Sequence, residues 1–127
     1  KAIGYLEQSL KIAREIKYRP GERAALSNLG FAYYSLRDYP KAIGYLEQSL
    51  KIAQEMKDRD GEGTTLFNLG SSYQALGDNP KAIEFYERWL KIAQEIKDRQ
   101  REGQSLGSLG IAYDSMGDYP KAIEYHK

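Results

Sequence analysis

The stretch KAIGYLEQSLKIA occupies Lys1 to Ala13, recurs unchanged at Lys41 to Ala53, and returns as KAIEFYERWLKIA at Lys81 to Ala93. A period of 40 residues is the strongest constraint this chain carries, because a fixed period of that size marks a stack of small supersecondary units rather than one irregular core. Residues 1–40 and 41–80 agree at 26 of 40 positions, and 41–80 and 81–120 at 22 of 40. A fourth copy begins at Lys121. Each unit is too small to bury its own apolar face, so neighbouring units must cover one another.

Every period holds two helical patterns. Leu26, Leu29, Gly30, Tyr33 and Leu36 return at intervals of three and four residues, one face of a 3.6-residue helix. In the second pattern Ala42, Ile43, Tyr45, Leu46, Ser49, Leu50, Ala53 and Met56 span more than half the circumference, so that helix needs neighbours on two sides. The separators are Arg37-Asp38-Tyr39-Pro40, Gly77-Asp78-Asn79-Pro80 and Gly117-Asp118-Tyr119-Pro120. Asp is an N-cap and Pro suits a first turn, where no N–H is missed. Asp58 and Asp98 are placed to cap the other helix, whereas the first copy has Tyr18 there and relies on Pro20. These signals predict helices over 1–17, 20–37, 40–57, 60–77, 80–97 and 100–117, a stub from 120, and no strand.

These residues resemble the tetratricopeptide repeat. That family carries a bulky residue, Leu-Gly and Tyr on its helix A, and a small residue, a large one and a second small one on helix B. Leu26, Leu29, Gly30, Tyr33, Ala42, Leu46 and Ser49 fill this pattern. So do Leu66, Leu69, Gly70, Tyr73, Ala82, Tyr86 and Trp89, and then Leu106, Leu109, Gly110, Tyr113, Ala122 and His126. The 40-residue period resembles an elongated subclass, as in kinesin light chains and bacterial signalling arrays. The resemblance implies an all-α fold, a right-handed superhelix (α-solenoid) of antiparallel helix pairs. Its units read as 1–19, a helix B without its A; repeats 20–59 and 60–99; and a truncated repeat 100–127. The whole reads as an excerpt of a longer array.

The small residues explain close helix approach, with Gly30 expected to face Ala42. Trp89 breaks the pattern, standing where Ser9 and Ser49 stand. It reads either as a ligand anchor or as a packing residue that fills space vacated by Gly103 and Gly107; packing is the preferred expectation. Glu7-Lys11-Glu15, Glu47-Lys51-Glu55 and Glu87-Lys91-Glu95 predict exposed ion-pair ladders along the B helices.

By resemblance, helix A lines the concave wall where extended peptides lie. The candidate peptide-binding residues are Ser27, Asn28, Phe31 and Tyr34, then Phe67, Asn68, Ser71 and Gln74, then Ser108, Ile111 and Asp114. Amides and hydroxyls beside exposed rings suit a peptide backbone and its apolar side chains. Asn28 and Asn68 are the sharpest of these, since Asn at this place contacts peptides in the elongated subclass. The alternative is that they bond to neighbouring helices and set the stacking. Chaperone-tail recognition is disfavoured, because its Lys and Arg are replaced by Ala24, Ser27, Thr64, Phe67, Ser71, Gln104 and Ile111.

The function expected is therefore protein or peptide binding in the concave groove. The alternative is an architectural spacer or sensor segment of a larger signalling protein. Exposed Phe31, Tyr34 and Phe67 favour binding, because a spacer gains nothing from them. Lys+Arg 19 against Asp+Glu 18, a net charge of +1, gives no field for nucleic acid. The absence of cysteine excludes thiolate metal sites and fits a reducing, cytoplasmic setting. No run approaches the roughly 18 apolar residues of a membrane span, and no signal-peptide core follows Lys1. The sole histidine, His126, and the lack of a Gly-rich phosphate loop argue against an enzyme, and no cofactor or metal is expected. Uncovered terminal helices, around Ala2 and Leu6 at one end and Leu109, Gly110 and Tyr113 at the other, suggest head-to-tail self-association.

Overall fold

The computed structural model describes residues 2–117 together with Lys121, Glu124 and Tyr125. Among the described residues six helices follow one another: α1 (Ala2–Glu15), α2 (Arg19–Ser35), α3 (Tyr39–Glu55), α4 (Arg59–Ala75), α5 (Asn79–Glu95) and α6 (Arg99–Ser115). No strand occurs among the described residues, so the fold is all-α. The predicted stub from 120, with His126, lies largely outside the described residues.

Each helix ends two residues earlier than its sequence pattern suggests, for a common reason. After α2, Asp38 N–H donates to Tyr33 carbonyl (2.9 Å) and Arg37 N–H to Tyr34 carbonyl (2.9 Å), with Arg37 at φ 65°. This is a Schellman closure, which places one residue in the left-handed region. The same pair of bonds closes α1, α3, α4 and α5. Glycine takes the left-handed position at Gly77 and Gly117, but Lys17, Arg37, Lys57 and Lys97 hold it at φ 56° to 65°.

The residue after that position starts the next helix. Asp38, Asp78 and Asp98 accept a side-chain bond from Lys41, Lys81 and Arg101 N–H at 3.4, 3.2 and 3.1 Å, and Asp58 accepts one from Gly61 N–H at 3.0 Å. Tyr18 makes no such bond, and Pro20 opens α2 in its place. One short connection thus ends a helix, caps another and reverses the chain.

The chain divides into two compact units, residues 1–65 and 66–127, with α4 running through the boundary. In the first, α1 packs on α2 and α2 on α3. Leu10, Ala25, Leu26, Leu29 and Ile52 form the core, with Ile3, Leu6, Tyr33 and Tyr45 against it. α3 is buried at Ala42, Ile43, Leu46, Ser49, Leu50, Ile52 and Ala53, the broad face its sequence demands. In the second unit Leu66, Leu69 and Leu109 are fully buried, α5 packs on α6, and α5 buries Ala82, Ile83, Phe85, Tyr86, Trp89, Ile92 and Ala93.

A stacked ring pair recurs with the repeat: Tyr33 with Tyr45 (5.6 Å), Tyr73 with Phe85 (5.5 Å) and Tyr113 with Tyr125 (5.5 Å), each within 8° of parallel. Gly30 faces Ala42 at the close approach of α2 and α3, as expected, but Leu46 stands nearer still. A methyl group at Gly30 would lie 2.6 Å from Leu46 Cγ and only 3.4 Å from Ala42 carbonyl, so the glycine makes room for the leucine. Gly70 does the same for the Tyr86 ring, at 2.6 Å.

The ladder expected along α3 does not form among the described residues. Glu55 instead accepts from Arg19 of α2 at 2.6 Å, and Arg19 also meets Glu22 at 2.9 Å. A guanidinium reaching across helices offers a planar fork that a lysine four residues away on the same helix lacks.

Candidate functional site

In the first unit the four candidates on α2 do not share one environment. Asn28 and Phe31 are exposed, Phe31 at 62 %. Ser27 turns inward: it is half-buried with Oγ 2.6 Å from Ser49 Oγ, and Ser49 donates to Arg23 carbonyl at 3.4 Å. The Ser27 hydroxyl is thus engaged with Ser49 in helix packing rather than held open. Tyr34 is half-buried, its ring edge-on to Tyr39 of α3 at 5.4 Å.

The second unit gathers more of its candidates. Phe67 lies 4.6 Å from the Trp89 ring and 6.3 Å from Tyr86, all tilted to one another. Tyr86 OH donates to Gln74 Oε1 at 2.8 Å and sits 3.3 Å from Ser71 Oγ. One buried phenol of α5 thus orients two polar candidates of α4. Asn68 is half-buried; its carbonyl accepts from Ser72 Oγ at 2.9 Å. On α6, Ser108 is half-buried while Ile111 and Asp114 are exposed.

The side-chain amides of Asn28 and Asn68 make no hydrogen bond among the described residues. Sequence reasoning alone missed the roles of Tyr86 and Trp89 beside these positions. The signal was present: Phe67 and Trp89 stand 40 residues after Ser27 and Ser49, so two departures from the repeat fall on one contacting pair. Trp89 is 3 % exposed, as the packing expectation required, but its partner is different. Methyl groups at Gly103 and Gly107 would meet nothing within 4 Å, so Trp89 does not fill their space; it packs back onto Phe67 and Tyr86.

Elsewhere, a cleft of about 310 Å3 in the first unit is lined by Arg19, Glu22, Leu26, Gln48, Lys51, Ile52 and Glu55. Its charges largely answer one another, through Arg19 with Glu22 and Glu55. Among the described residues, no group of three or more His, Cys, Asp or Glu is placed to hold a metal ion, and no helix is long and apolar enough to cross a membrane.

A family model for the tetratricopeptide repeat matches residues 1–55 and 61–127. The chain belongs to the tetratricopeptide repeat family. On the repeat pattern of the sequence, α2, α4 and α6 stand where A helices are expected, and α1, α3 and α5 where B helices are. Tetratricopeptide repeats mediate protein–protein interaction.

Several solved structures share the fold. BtubC (BKLC) from P. vanneervenii is 26 % identical, with a TM-score of 0.90, over 98 % of this chain and 52 % of that one. A putative kinesin light chain from Podosopora anserina, with nearly identical TPR-like repeats, is 24 % identical, with a TM-score of 0.80, over 98 % and 62 %. A Rap protein in complex with competence and sporulation factor is 22 % identical, with a TM-score of 0.86, over 97 % and 34 %. The chain thus spans between a third and two thirds of these relatives' lengths. No curated protein sequence matches it.

Proposed function

We propose that the chain binds an extended peptide segment of a partner protein on the outward faces of its A helices. The observation that supports this best is the pair Asn28 and Asn68. Both carry an amide with no hydrogen bond among the described residues, beside Phe31 and Phe67 respectively. An unengaged amide offers one donor and one acceptor side to an extended backbone, and a neighbouring ring offers apolar surface. Had these amides been needed to fix the helix stacking, they would be bonded to a neighbouring helix.

The surroundings agree. Phe31, Phe67 and Ile111 are exposed apolar residues on faces with a single charged candidate, Asp114. Ser71 and Gln74 are held in place from behind by Tyr86, which lowers the entropy lost when a ligand engages them. Among the solved structures that share the fold, the Rap protein is seen in complex with competence and sporulation factor.

The test is capture of a random decamer library by the chain and by an Asn28→Ala/Asn68→Ala variant. Losing two neutral hydrogen-bonding amides lowers capture by roughly tenfold. Equal capture by both proteins overturns the reading.

A further inference from the structure

We propose that the α4–α5 face of the second unit is a subsite for a large apolar side chain, aromatic by preference, of the bound peptide. The equivalent place in the first unit takes a small side chain. The inference rests on the peptide-binding reading above and adds a sequence preference to it.

The argument begins with one pair of positions seen twice. In the first unit Ser27 and Ser49 close on each other at 2.6 Å, a small polar pair with no ring to present. In the second unit the same two positions hold Phe67 and Trp89, with ring centres 4.6 Å apart and planes tilted by 46°. Trp89 and Tyr86, at 3 % and 2 % exposure, form a buried aromatic floor. Phe67 covers that floor yet stays 36 % exposed. A phenylalanine recruited only for the core would be buried as its two neighbours are. Here one part of the ring is fixed by the floor and the remainder is presented outward, already ordered.

Ring quadrupoles favour further tilted contacts, so a third ring placed on Phe67 extends an arrangement already built. The polar groups around it are neutral: Asn68, Ser71 and Gln74. Tyr86 donates to Gln74 Oε1, which leaves the Gln74 NH2 as the group offered to a peptide carbonyl. The nearest charge on this face of α4 is Asp60, seven residues before Phe67, so a charged ligand side chain seated on the ring would lose hydration with little compensation. The occupant that fits is therefore an uncharged, large apolar side chain with its own backbone beside Asn68 and Gln74.

The experiment has two arms on the full chain. In the first, N-acetyl-phenylalaninamide and N-acetyl-serinamide are titrated while NMR follows Phe67, Tyr86 and the indole N–H of Trp89, the only tryptophan. The expected result is saturable shifts with the phenylalanine probe, roughly three- to tenfold weaker with the serine probe. The same weakening is expected in Phe67→Leu, which keeps an apolar cover, and in Phe67→Ser/Trp89→Ser, which copies the first unit. Circular dichroism establishes that both variants remain helical, and Phe67→Leu carries the comparison if the double variant does not fold.

Equal response to the two probes, or an unchanged response in Phe67→Leu, overturns the subsite. In the second arm the decamers captured by the wild type are sequenced. Enrichment of an aromatic residue at one position, lost in Phe67→Leu, supports the proposal, and capture without that enrichment overturns it. A chain that seats the phenylalanine probe but captures no decamer overturns the peptide-binding reading instead.

Discussion

Two glycines of the same chain respond oppositely to a single added methyl group, because their surroundings differ. At Gly30 the new carbon would lie 2.6 Å from Leu46 Cγ, inside the helix crossing. Gly30→Ala is expected to cost about 1–3 kcal/mol through overpacking, read as a lower urea midpoint. At Gly44 nothing lies within 4 Å, and the residue is inside α3. There Gly44→Ala removes backbone freedom from the unfolded chain and is expected to add about 0.5–1 kcal/mol. A third site concerns backbone alone. Arg37 holds φ 65°, a conformation that a side chain disfavours by about 1–2 kcal/mol. Arg37→Gly relieves this at some cost in unfolded-state entropy, so a net gain of about 0.5–1 kcal/mol is expected by the same measurement.

Helix starts and helix contacts show how copies of one unit diverge. α4 and α6 begin with Asp58 and Asp98, each accepting a backbone N–H, while α2 begins with Tyr18, which accepts none through its side chain. Tyr18→Asp restores the cap and is expected to gain about 1 kcal/mol, seen as a rise in Tm. The contact between Phe67 and Trp89 is a coupled pair rather than two separate changes. Trp89→Ser alone opens a large void under Phe67, a loss on the order of 3–5 kcal/mol. The pair Phe67→Ser/Trp89→Ser lets two hydroxyls meet as Ser27 and Ser49 do, so its cost is expected to fall short of the sum of the singles. A double-mutant cycle with no coupling energy would show that the two rings act independently.

For the molecule as a whole, repeat register governs which segments are interchangeable. Removing residues 41–80 joins Pro40 to Lys81, the same Pro-Lys-Ala-Ile junction found at Pro80 and Lys81. Gly30 then meets Tyr86 in place of Leu46, a pairing that Gly70 already makes. Helicity per residue is therefore expected to stay unchanged by circular dichroism, while the urea midpoint falls because fewer units cover one another. Loss of helicity on removing the 40 residues would mean that the units are not equivalent parts of a stack.

The fold was legible before any coordinates because its causes are local and repeated. Apolar residues at three- and four-residue spacing, an Asp or a Pro at each junction, and a 40-residue period define helix, cap and stack. Helix ends fall two residues short of the sequence pattern, because the closing turn takes those residues out of the helix whether Lys, Arg or Gly holds the left-handed position. The candidate surface was legible only as a set of positions. Which of them stay open depends on what stands across the helix crossing. Ser27 is drawn inward by Ser49, Gln74 is oriented by Tyr86, and Glu55 turns from Lys51 on its own helix to Arg19 on another. Those partners lie 12 to 36 residues away in the chain, beyond the reach of periodicity, and only side-chain packing and hydrogen-bond geometry in three dimensions select them.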